Sequence, residues 1–257
     1  MENILKNIVA EKRIEVDAAI RLTGETDPSS ATRPVISMKK ALVCDPYGII
    51  AEFKRRSPSR GEIHPLALAA DVVSGYRGAG AAACSVLTDT VFFGGALTDL
   101  MAAREAVPAI PVLRKDFIIS RNQIAEARVC GADAVLLIAA ILTSAEVADF
   151  TAYAHSLDLE ILFEVHNDAD LDKYCDGIDM VGVNNRDLTT FRTDPMFCTR
   201  VAAALPQKVV KIAESGITSL RQVEQLRDNG FSGFLIGERF MKHENPAEAL
   251  RKFLEYE

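Results

Sequence analysis

The chain has 257 residues, of which 49% are hydrophobic and 25% are charged, and its formal net charge is −7. This length fits one large α/β barrel or two small domains, and the hydrophobic fraction is enough for a sizeable core. The negative charge argues against nucleic acid or an acidic membrane as a general partner, so an anionic ligand would need a local cluster of positive charge.

Cysteine and histidine usage indicates neither a disulfide framework nor a metal site. The five cysteines are odd in number and scattered, no CxxC pair occurs, and the four histidines have no metal-ligand spacing with them. The N-terminal stretch is too charged for a signal peptide, and no apolar run is long enough to cross a bilayer. We therefore expect a cytoplasmic protein with free thiols, no bound metal and no membrane partner.

The first 45 residues precede the first predicted strand. Their pattern predicts an amphipathic helix over roughly 3–22, a polar loop with the sequence TGETDPSSATRP, and a short helix near 37–44. This stretch has too few apolar residues for a core of its own. We predict a single domain over 1–257, of which 1–45 is an N-terminal helical extension that covers the rest.

Short apolar runs follow about every 20 to 33 residues, the interval expected of successive βα units. Most are continuously apolar, as strands of a sheet buried on both faces must be, and helical patterns separate them. We predict a (β/α)8 TIM barrel, with a doubly wound open sheet as the alternative. The predicted strands are 48–54, 82–88, 111–115, 133–139, 160–165, 180–184, 209–214 and 233–237.

Glycines mark the entry to the even-numbered strands. Gly80, Gly131, Gly177 and Gly230 each stand where a helical stretch ends and a strand begins. Glycine takes the left-handed conformation of a helix C-terminus without steric cost. These glycines therefore recur about every 50 residues, which corresponds to two βα units.

Polar and charged residues end five of the predicted strands. Active sites of barrels lie at the C-terminal ends of the strands, and buried charges are costly unless they are paired. For one such residue a structural ion pair is as good an explanation as function, but five strand ends converging on one mouth favour an active site. The residues are Glu52 and Lys54 after strand one, Lys115 after strand three, Glu164 after strand five, Asn184 and Arg186 after strand six, and Glu214 after strand seven.

The last two strands carry the features of a phosphate site. Ser215-Gly216 follows strand seven and Gly237-Glu238 follows strand eight, where barrels commonly bind phosphate. Glycine lets backbone N–H groups approach an anion closely, and Ser215 adds a hydroxyl donor. Strand alternation should not turn both Glu214 and Ser215 inward. Together these features predict a phosphorylated, anionic small-molecule substrate.

Five segments resemble the signature segments of indole-3-glycerol-phosphate synthase, in the same order and at the same strand positions. They begin at Glu52 (EFKRRSPS), Leu113 (LRKDFI), Glu164 (EVH), Asn184 (NNRDL) and Glu214 (ESGI). The resemblance extends over nearly the whole chain. It implies a carboxy-lyase of tryptophan biosynthesis that converts 1-(2-carboxyphenylamino)-1-deoxyribulose 5-phosphate to indole-3-glycerol phosphate, releasing carbon dioxide and water without metal or cofactor.

The resemblance also implies roles for the strand-end residues. Lys115 is the acid that protonates the alkoxide formed on ring closure, and Lys54 is a second cation that holds the substrate and assists dehydration. Glu52 and Glu164 are both candidate bases. The chemistry leaves open which of the two removes the final proton.

The other site residues implied by the resemblance bind the substrate. Asn184 and Arg186 orient it and contact its carboxylate, and Glu214 is a further site residue. The resemblance includes the segment Phe92-Phe93-Gly94-Gly95, which we expect to form a hydrophobic wall for the aromatic ring. If backbone N–H groups hold the phosphate, the charged side chain of Glu238 should point away from it. The residues around the phosphate are Ser57, Ser215, Gly216, Gly237 and Glu238.

Two other interpretations compete with this one. A related phosphate-binding barrel such as phosphoribosylanthranilate isomerase would need an acid–base pair for an Amadori shift, whereas strand one carries a Glu-x-Lys arrangement. A non-catalytic barrel should show a decayed site, yet every candidate acid, base and phosphate contact is present. We expect a monomer or a weak homo-oligomer with a small-molecule partner.

Overall fold

The computed structural model describes residues 4–186, 195–206 and 208–255. Within them, eight parallel strands form a closed barrel, which confirms the predicted fold class. The open-sheet alternative is wrong, because the last strand pairs with the first through Ile49 with Phe234 and Ile50 with Leu235. In chain order the barrel strands are β1 (Ile49–Phe53), β2 (Ala83–Leu87), β3 (Val112–Lys115), β4 (Ala134–Ile138), β5 (Glu160–Val165), β6 (Met180–Asn184), β7 (Val210–Glu214) and β8 (Gly233–Ile236).

Helices precede, surround and follow the barrel. A 3-10 helix, Asp168–Lys173, lies between β5 and β6, and two others span Pro28–Ser30 and Ala139–Ile141. A short antiparallel pair, Arg56–Ser57 with Gly61–Glu62, forms in the loop after β1. The α-helices are α1 (Ile4–Thr23), α2 (Met38–Cys44), α3 (Ala69–Gly78), α4 (Leu97–Ala106), α5 (Arg121–Val129), α6 (Ser144–Ser156), α7 (Pro195–Ala202), α8 (Leu220–Asp228), α9 (Glu238–Met241) and α10 (Pro246–Leu254).

The glycines predicted where helices end and strands begin have the expected backbone conformation. The four glycines expected before the even-numbered strands all have positive φ, from 86° at Gly230 to 104° at Gly177. Polar side chains begin several helices. At α6, the Thr143 side chain accepts a hydrogen bond from the backbone of Glu146, whose carboxylate accepts one from the Thr143 N–H, a reciprocal cap that satisfies two otherwise unpaired donors.

The two faces of each strand pack into two separate cores. In β1, Ile49, Ala51 and Phe53 pack with the surrounding helices, whereas Ile50 belongs to a second cluster inside the barrel. Interior residues of β3, β5 and β7 are followed two positions later by charged residues that point the same way. These interior residues are Leu113, Leu162 and Ile212, and the charged residues after them are Lys115, Glu164 and Glu214.

The N-terminal helices contact both ends of the barrel. Leu5 and Ile8 of α1 belong to the interior cluster and lie at the C-terminal mouth of the barrel. Leu42 of α2 lies at the opposite end, against the backbone of Gly48 and Gly233, where strands begin. The division of the chain into an extension over 1–45 and a barrel remains a prediction. Among the described residues, no helix combines the length and the apolar character that a bilayer span requires.

Candidate active site

A cavity of about 440 Å³ opens at the C-terminal ends of the barrel strands. It collects every acid, base and substrate-binding residue predicted from the sequence, because strands that are distant in the chain end at one rim. Asp187 and Leu188 of the NNRDL segment lie outside the described residues. The predicted residues that line the cavity are Glu52, Lys54, Ser57, Lys115, Glu164, Asn184, Arg186, Glu214, Ser215, Gly216, Gly237 and Glu238.

Lys115 lies between two buried carboxyl groups. Its Nζ is 3.1 Å from Oε2 of Glu164 and 3.7 Å from Oε2 of Glu214. Burial favours the neutral amine, but the negative charges nearby outweigh it and raise the pKa of Lys115. The side chain is therefore an ammonium, and it lines the cavity.

Glu164 has partners on both of its carboxylate oxygens. Asn184 donates a hydrogen bond of 3.2 Å from Nδ2 to Oε1, and Nε2 of His166 lies 2.8 Å from the same oxygen. Burial alone would raise the pKa of Glu164, but Lys115 and then His166 outweigh burial and hold it well below the usual range. Glu164 is consequently a carboxylate whose orientation is fixed.

The pKa of Glu214 is shifted in the opposite direction, although Glu214 lies next to the same lysine. Burial and the negative charge of Glu164 raise the pKa of Glu214 well above its usual range. Its Oε1 has no hydrogen-bond partner among the described residues. The pKa values of two carboxyl groups next to one ammonium are thus shifted in opposite directions.

Gly182 of β6 is a site residue that the sequence did not reveal. A Cβ atom at this position would overlap Oε1 of Glu214. The strand therefore has no side chain where the carboxyl group of its neighbour must lie. A glycine inside an otherwise apolar strand was the available signal, since it often marks a close approach.

Glu52 and Lys54 lie on the same side of β1, as strand alternation predicts. Oε1 of Glu52 is 2.7 Å from Nζ of Lys54, and only 14% of the lysine side chain is exposed. Gly237, after β8, packs so closely on Glu52 that a Cβ there would overlap its carboxylate. This second ion pair lies beside the loop after β8.

The loop after β7 reverses direction at once. Ser215 has a φ of 65° and Gly216 a φ of 77°, so two successive residues adopt the left-handed conformation, which is uncommon for serine. Asn185 supports the turn by donating from Nδ2 to the Ser215 carbonyl at 3.1 Å. Because Ser215 leaves the extended conformation, both it and Glu214 line the cavity, and the expectation from strand alternation is wrong here.

Glu238 lines the cavity next to this loop, and its carboxylate faces two arginines. Oε1 is 3.0 Å from Nε of Arg60, and Oε2 is 3.5 Å from Nη2 of Arg186. Arg186 also donates from Nη1 to the Ser59 hydroxyl at 3.1 Å. The carboxylate is thus balanced by guanidinium groups instead of turning away from the cavity. We call Ser215, Gly216, Gly237 and Glu238 the anion half of the cavity.

The opposite part of the cavity is apolar. The Phe93 and Phe117 rings have centroids 6.0 Å apart with their planes inclined by 42°. Of the segment Phe92-Phe93-Gly94-Gly95, which was expected to form a hydrophobic wall, Phe93 lines the cavity and the other three residues do not. Sequence reasoning had missed the other apolar residues of this part of the cavity, although their helical and strand spacing marked them as buried. We call this set the apolar half: Leu5, Ile8, Phe93, Phe117, Leu136 and Ile138.

Comparison with known proteins gives consistent results. The family model described as "Indole-3-glycerol phosphate synthase" matches residues 5–253. The protein of that name from Bacteroides thetaiotaomicron is 47% identical over 257 residues, covering 99% of this chain and 98% of the relative. The one from Azoarcus sp. is 41% identical over 263 residues, covering 98% of each.

Solved structures show the same fold at low identity. A thiamine phosphate pyrophosphorylase from Pyrococcus furiosus superposes with a TM-score of 0.60 at 14% identity, covering 85% of this chain and 96% of that one. A chain of the tryptophan synthase complex from the same organism also gives 0.60, at 15% identity, covering 81% of this chain and 96% of that one. At this identity the likeness is one of fold alone.

Proposed function

We propose how the residues of this chain, which belongs to the indole-3-glycerol phosphate synthase family, close an indole ring. The enzyme is a carboxy-lyase of tryptophan biosynthesis, and the isomerase alternative is not favoured. The substrate is 1-(2-carboxyphenylamino)-1-deoxyribulose 5-phosphate. The observation that carries the mechanism is the ammonium of Lys115 between two buried carboxyl groups whose pKa values are shifted in opposite directions.

The first step needs an acid. The aromatic carbon that bears the carboxylate attacks the ketone carbon of the sugar, and the ketone oxygen becomes an alkoxide that must take up a proton. We assign this proton to Lys115, because its raised pKa keeps it charged and it lies at the cavity wall. Loss of carbon dioxide from the same ring carbon then restores the aromatic ring.

The second step needs an acid and a base. The hydroxyl leaves as water, and the carbon next to the nitrogen loses a proton to form the indole double bond. We assign the base to Glu164, whose lowered pKa keeps it ionised and whose orientation Asn184 fixes. Once Lys115 has given up its proton, Glu164 loses its strongest charge partner and becomes a better base. We assign the acid to Lys54, with Glu52 as the group that holds it.

The substrate binds across the cavity, with its phosphate in the anion half and its ring in the apolar half. Ser57, Ser215 and the glycines supply hydroxyl and backbone donors for the phosphate. Arg186 forms a fork suited to the ring carboxylate, and Glu238 holds Arg186 and Arg60 in place. A cavity of about 440 Å³ suits a ligand of this size.

A direct assay tests the function. The chain contains no tryptophan, so indole fluorescence from the product stands out against the protein. We expect the carboxyphenylamino sugar phosphate to give indole-3-glycerol phosphate and carbon dioxide in equal amounts, and phosphoribosylanthranilate to give no isomerised product. Purified, folded protein that released neither product from the first compound would reject the proposal.

We propose in addition that the enzyme acts in the cytoplasm as a monomer or a weak homo-oligomer, without a metal or cofactor. Within the described residues, no group of three or more His, Cys, Asp or Glu side chains is placed to hold a metal ion. Full activity after dialysis against a chelator tests the absence of a required metal, and a mass from light scattering tests the oligomeric state.

A further inference from the structure

Lys12 of α1 is buried where an apolar residue would be expected. The buried residues of this helix are Leu5, Ile8, Lys12 and Val16, which follow one another at helical spacing along a single stripe. Only 1% of the Lys12 side chain is exposed. A buried ammonium is costly unless it is paired, so its place in the stripe requires an explanation.

Three carboxylates surround the ammonium. Nζ of Lys12 is 2.9 Å from Oδ2 of Asp89, 3.0 Å from Oδ1 of Asp116 and 2.9 Å from Oε2 of Glu15. Asp89 and Asp116 are each 1% exposed and lie just after β2 and β3. Burial opposes the charge, but the two aspartates outweigh it and raise the pKa of Lys12. The ion pairs therefore connect α1 to two loops of the barrel mouth.

The two aspartates also shape the apolar half of the cavity. Oδ1 of Asp89 accepts hydrogen bonds from the backbone N–H groups of Phe92 at 2.7 Å and Phe93 at 3.1 Å. Oδ1 of Asp116 accepts one from the N–H of Phe117 at 2.8 Å. The carboxylates that hold Lys12 thus also fix the backbone of both aromatic residues in the wall.

We propose that Lys12 is a positioning residue, which seats α1 over the apolar half of the cavity through Asp89 and Asp116. Leu5 and Ile8 lie one to two turns before Lys12 and complete the wall from the helix side. The inference rests on the proposed function, since it concerns how the aromatic ring of that substrate is held.

Lys12 should affect binding of the aromatic ring of the substrate but not binding of its phosphate. In the ring of eight strands, β3 and β7 are opposite each other, so the anion half lies across the cavity from the loop that carries Asp116. Loosening α1 should therefore weaken contacts to the aromatic ring and leave contacts to the phosphate in place.

Substitution of Lys12→Met tests this distinction. The ring-bearing inhibitor for this test is the substrate with its ketone reduced to an alcohol, which cannot undergo ring closure. We expect KM and the inhibition constant of this inhibitor to rise roughly ten-fold, which corresponds to about 1.4 kcal/mol. The inhibition constant of inorganic phosphate should stay within about two-fold, which corresponds to about 0.4 kcal/mol, and kcat should fall less than KM rises. Backbone amides of 4–23 should exchange hydrogen faster, while those of β5 to β7 remain protected.

Two further variants complete the test. Glu15→Gln removes a partner on the same helix and keeps both pairs to the loops, so KM should match that of the wild type. Lys12→Arg keeps the charge with another geometry; it should raise KM in the same direction by a smaller factor, and it replaces Lys12→Met if that variant does not fold.

Unchanged binding of the ring-bearing inhibitor in both Lys12 variants would overturn the proposal, as would equal weakening of inhibitor and phosphate. Wild-type protein is assayed in parallel. If it formed no indole product, the proposed function would fail; normal wild-type turnover with normal Lys12 variants would reject only the positioning role.

Discussion

Single side chains in the cavity owe their chemistry to their neighbours. Glu164 and Glu214 are the same residue type at the ends of strands separated by one other strand, yet the pKa of one is lowered and that of the other is raised. The difference arises because Glu164 contacts Lys115 more closely and also has His166. A shared ammonium can stabilise one nearby negative charge better than two.

Replacement of Lys115 by methionine should remove the acid for ring closure. We expect kcat to fall by about 10²- to 10⁴-fold, the usual contribution of a positioned acid, while the reduced substrate still binds. Single-turnover fluorescence measures the effect. The matched control is Lys208→Met, because Lys208 is 74% exposed and pairs with an exposed aspartate. Near-normal turnover of the Lys115 variant would remove this residue from the mechanism.

The raised pKa of Glu214 predicts a dependence of stability on pH. Below the ordinary value of 4.5, the carboxyl group is protonated in the folded and unfolded states alike. Between that value and the raised folded pKa, only the folded state keeps the proton, so the stability contributed by the neutral group is lost as the pH rises through this window.

Glu214→Gln tests this pH dependence because glutamine stays neutral throughout. We expect its Tm, relative to that of the wild type, to rise by a few degrees as the pH goes from 4 to 8. Thermal unfolding across this range measures the difference, with the exposed Glu224→Gln as control. A difference between Glu214→Gln and wild type that did not vary with pH would show that Glu214 ionises normally.

At the level of elements, neighbouring strands are fitted to one another at the site. β6 carries Gly182 beside Glu214 of β7, and the loop after β8 carries Gly237 beside Glu52 of β1. In both places a missing side chain on one element makes room for a carboxyl group on the next. The barrel wall is therefore shaped around the site residues and is not merely a support below them.

Gly182→Ala should displace the carboxyl group of Glu214 toward Lys115. Overpacking of this kind costs about 1–3 kcal/mol, and we expect kcat to fall together with stability. Urea unfolding and steady-state kinetics measure the two effects. Gly78→Ala is the control, because a Cβ there meets no atom within 4 Å and φ is not positive. Unaltered kcat in the Gly182 variant would mean that catalysis does not depend on the exact position of the Glu214 carboxyl group.

At the scale of the whole molecule, the two ends of the barrel have different tasks. The C-terminal mouth contains the ionisable groups of the cavity. At the opposite end, Asp133 connects segments that are distant in the chain. Its Oδ1 is 2.7 Å from Nη2 of Arg33 and accepts the N–H of Ile36 at 2.8 Å. Its Oδ2 is 2.7 Å from Nη1 of Arg104 and accepts the N–H of Val112. A fully buried carboxylate thereby joins the N-terminal segment, α4 and β3.

Asp133→Asn should lower stability without changing catalysis. It leaves two guanidinium groups without their counter-charge, and breaking a buried pair typically costs about 3–5 kcal/mol. We expect the free energy of unfolding in urea to fall by this order, with KM and kcat at 25 °C near the wild-type values. Asp176→Asn, in an exposed pair with Lys208, should change neither. Loss of activity in folded Asp133→Asn protein would contradict the separation of the two ends.

Local pattern was enough to predict the barrel and the strand ends that meet at its mouth. Each of the eight strands was found within two residues of its predicted ends. Continuous apolar runs and glycines at the C-terminal ends of helices are local signals, so the sequence alone reveals them. The charged residues at the strand ends could be named because parallel strands of a barrel end at one rim, whereas Ser57 and the role of each residue came from the family resemblance. These rules need no knowledge of distant contacts.

The tertiary structure decided everything that depends on residues meeting across the barrel. Strand alternation could not anticipate the left-handed turn at Ser215, the two arginines that hold Glu238, or the aspartates that take up the charge of Lys12. The opposite pKa shifts of Glu164 and Glu214 likewise exist only once Lys115 lies between them. Electrostatic interactions act through space between residues far apart in the chain, so the sequence determined which groups reach the mouth and the closed barrel determined what each of them does there.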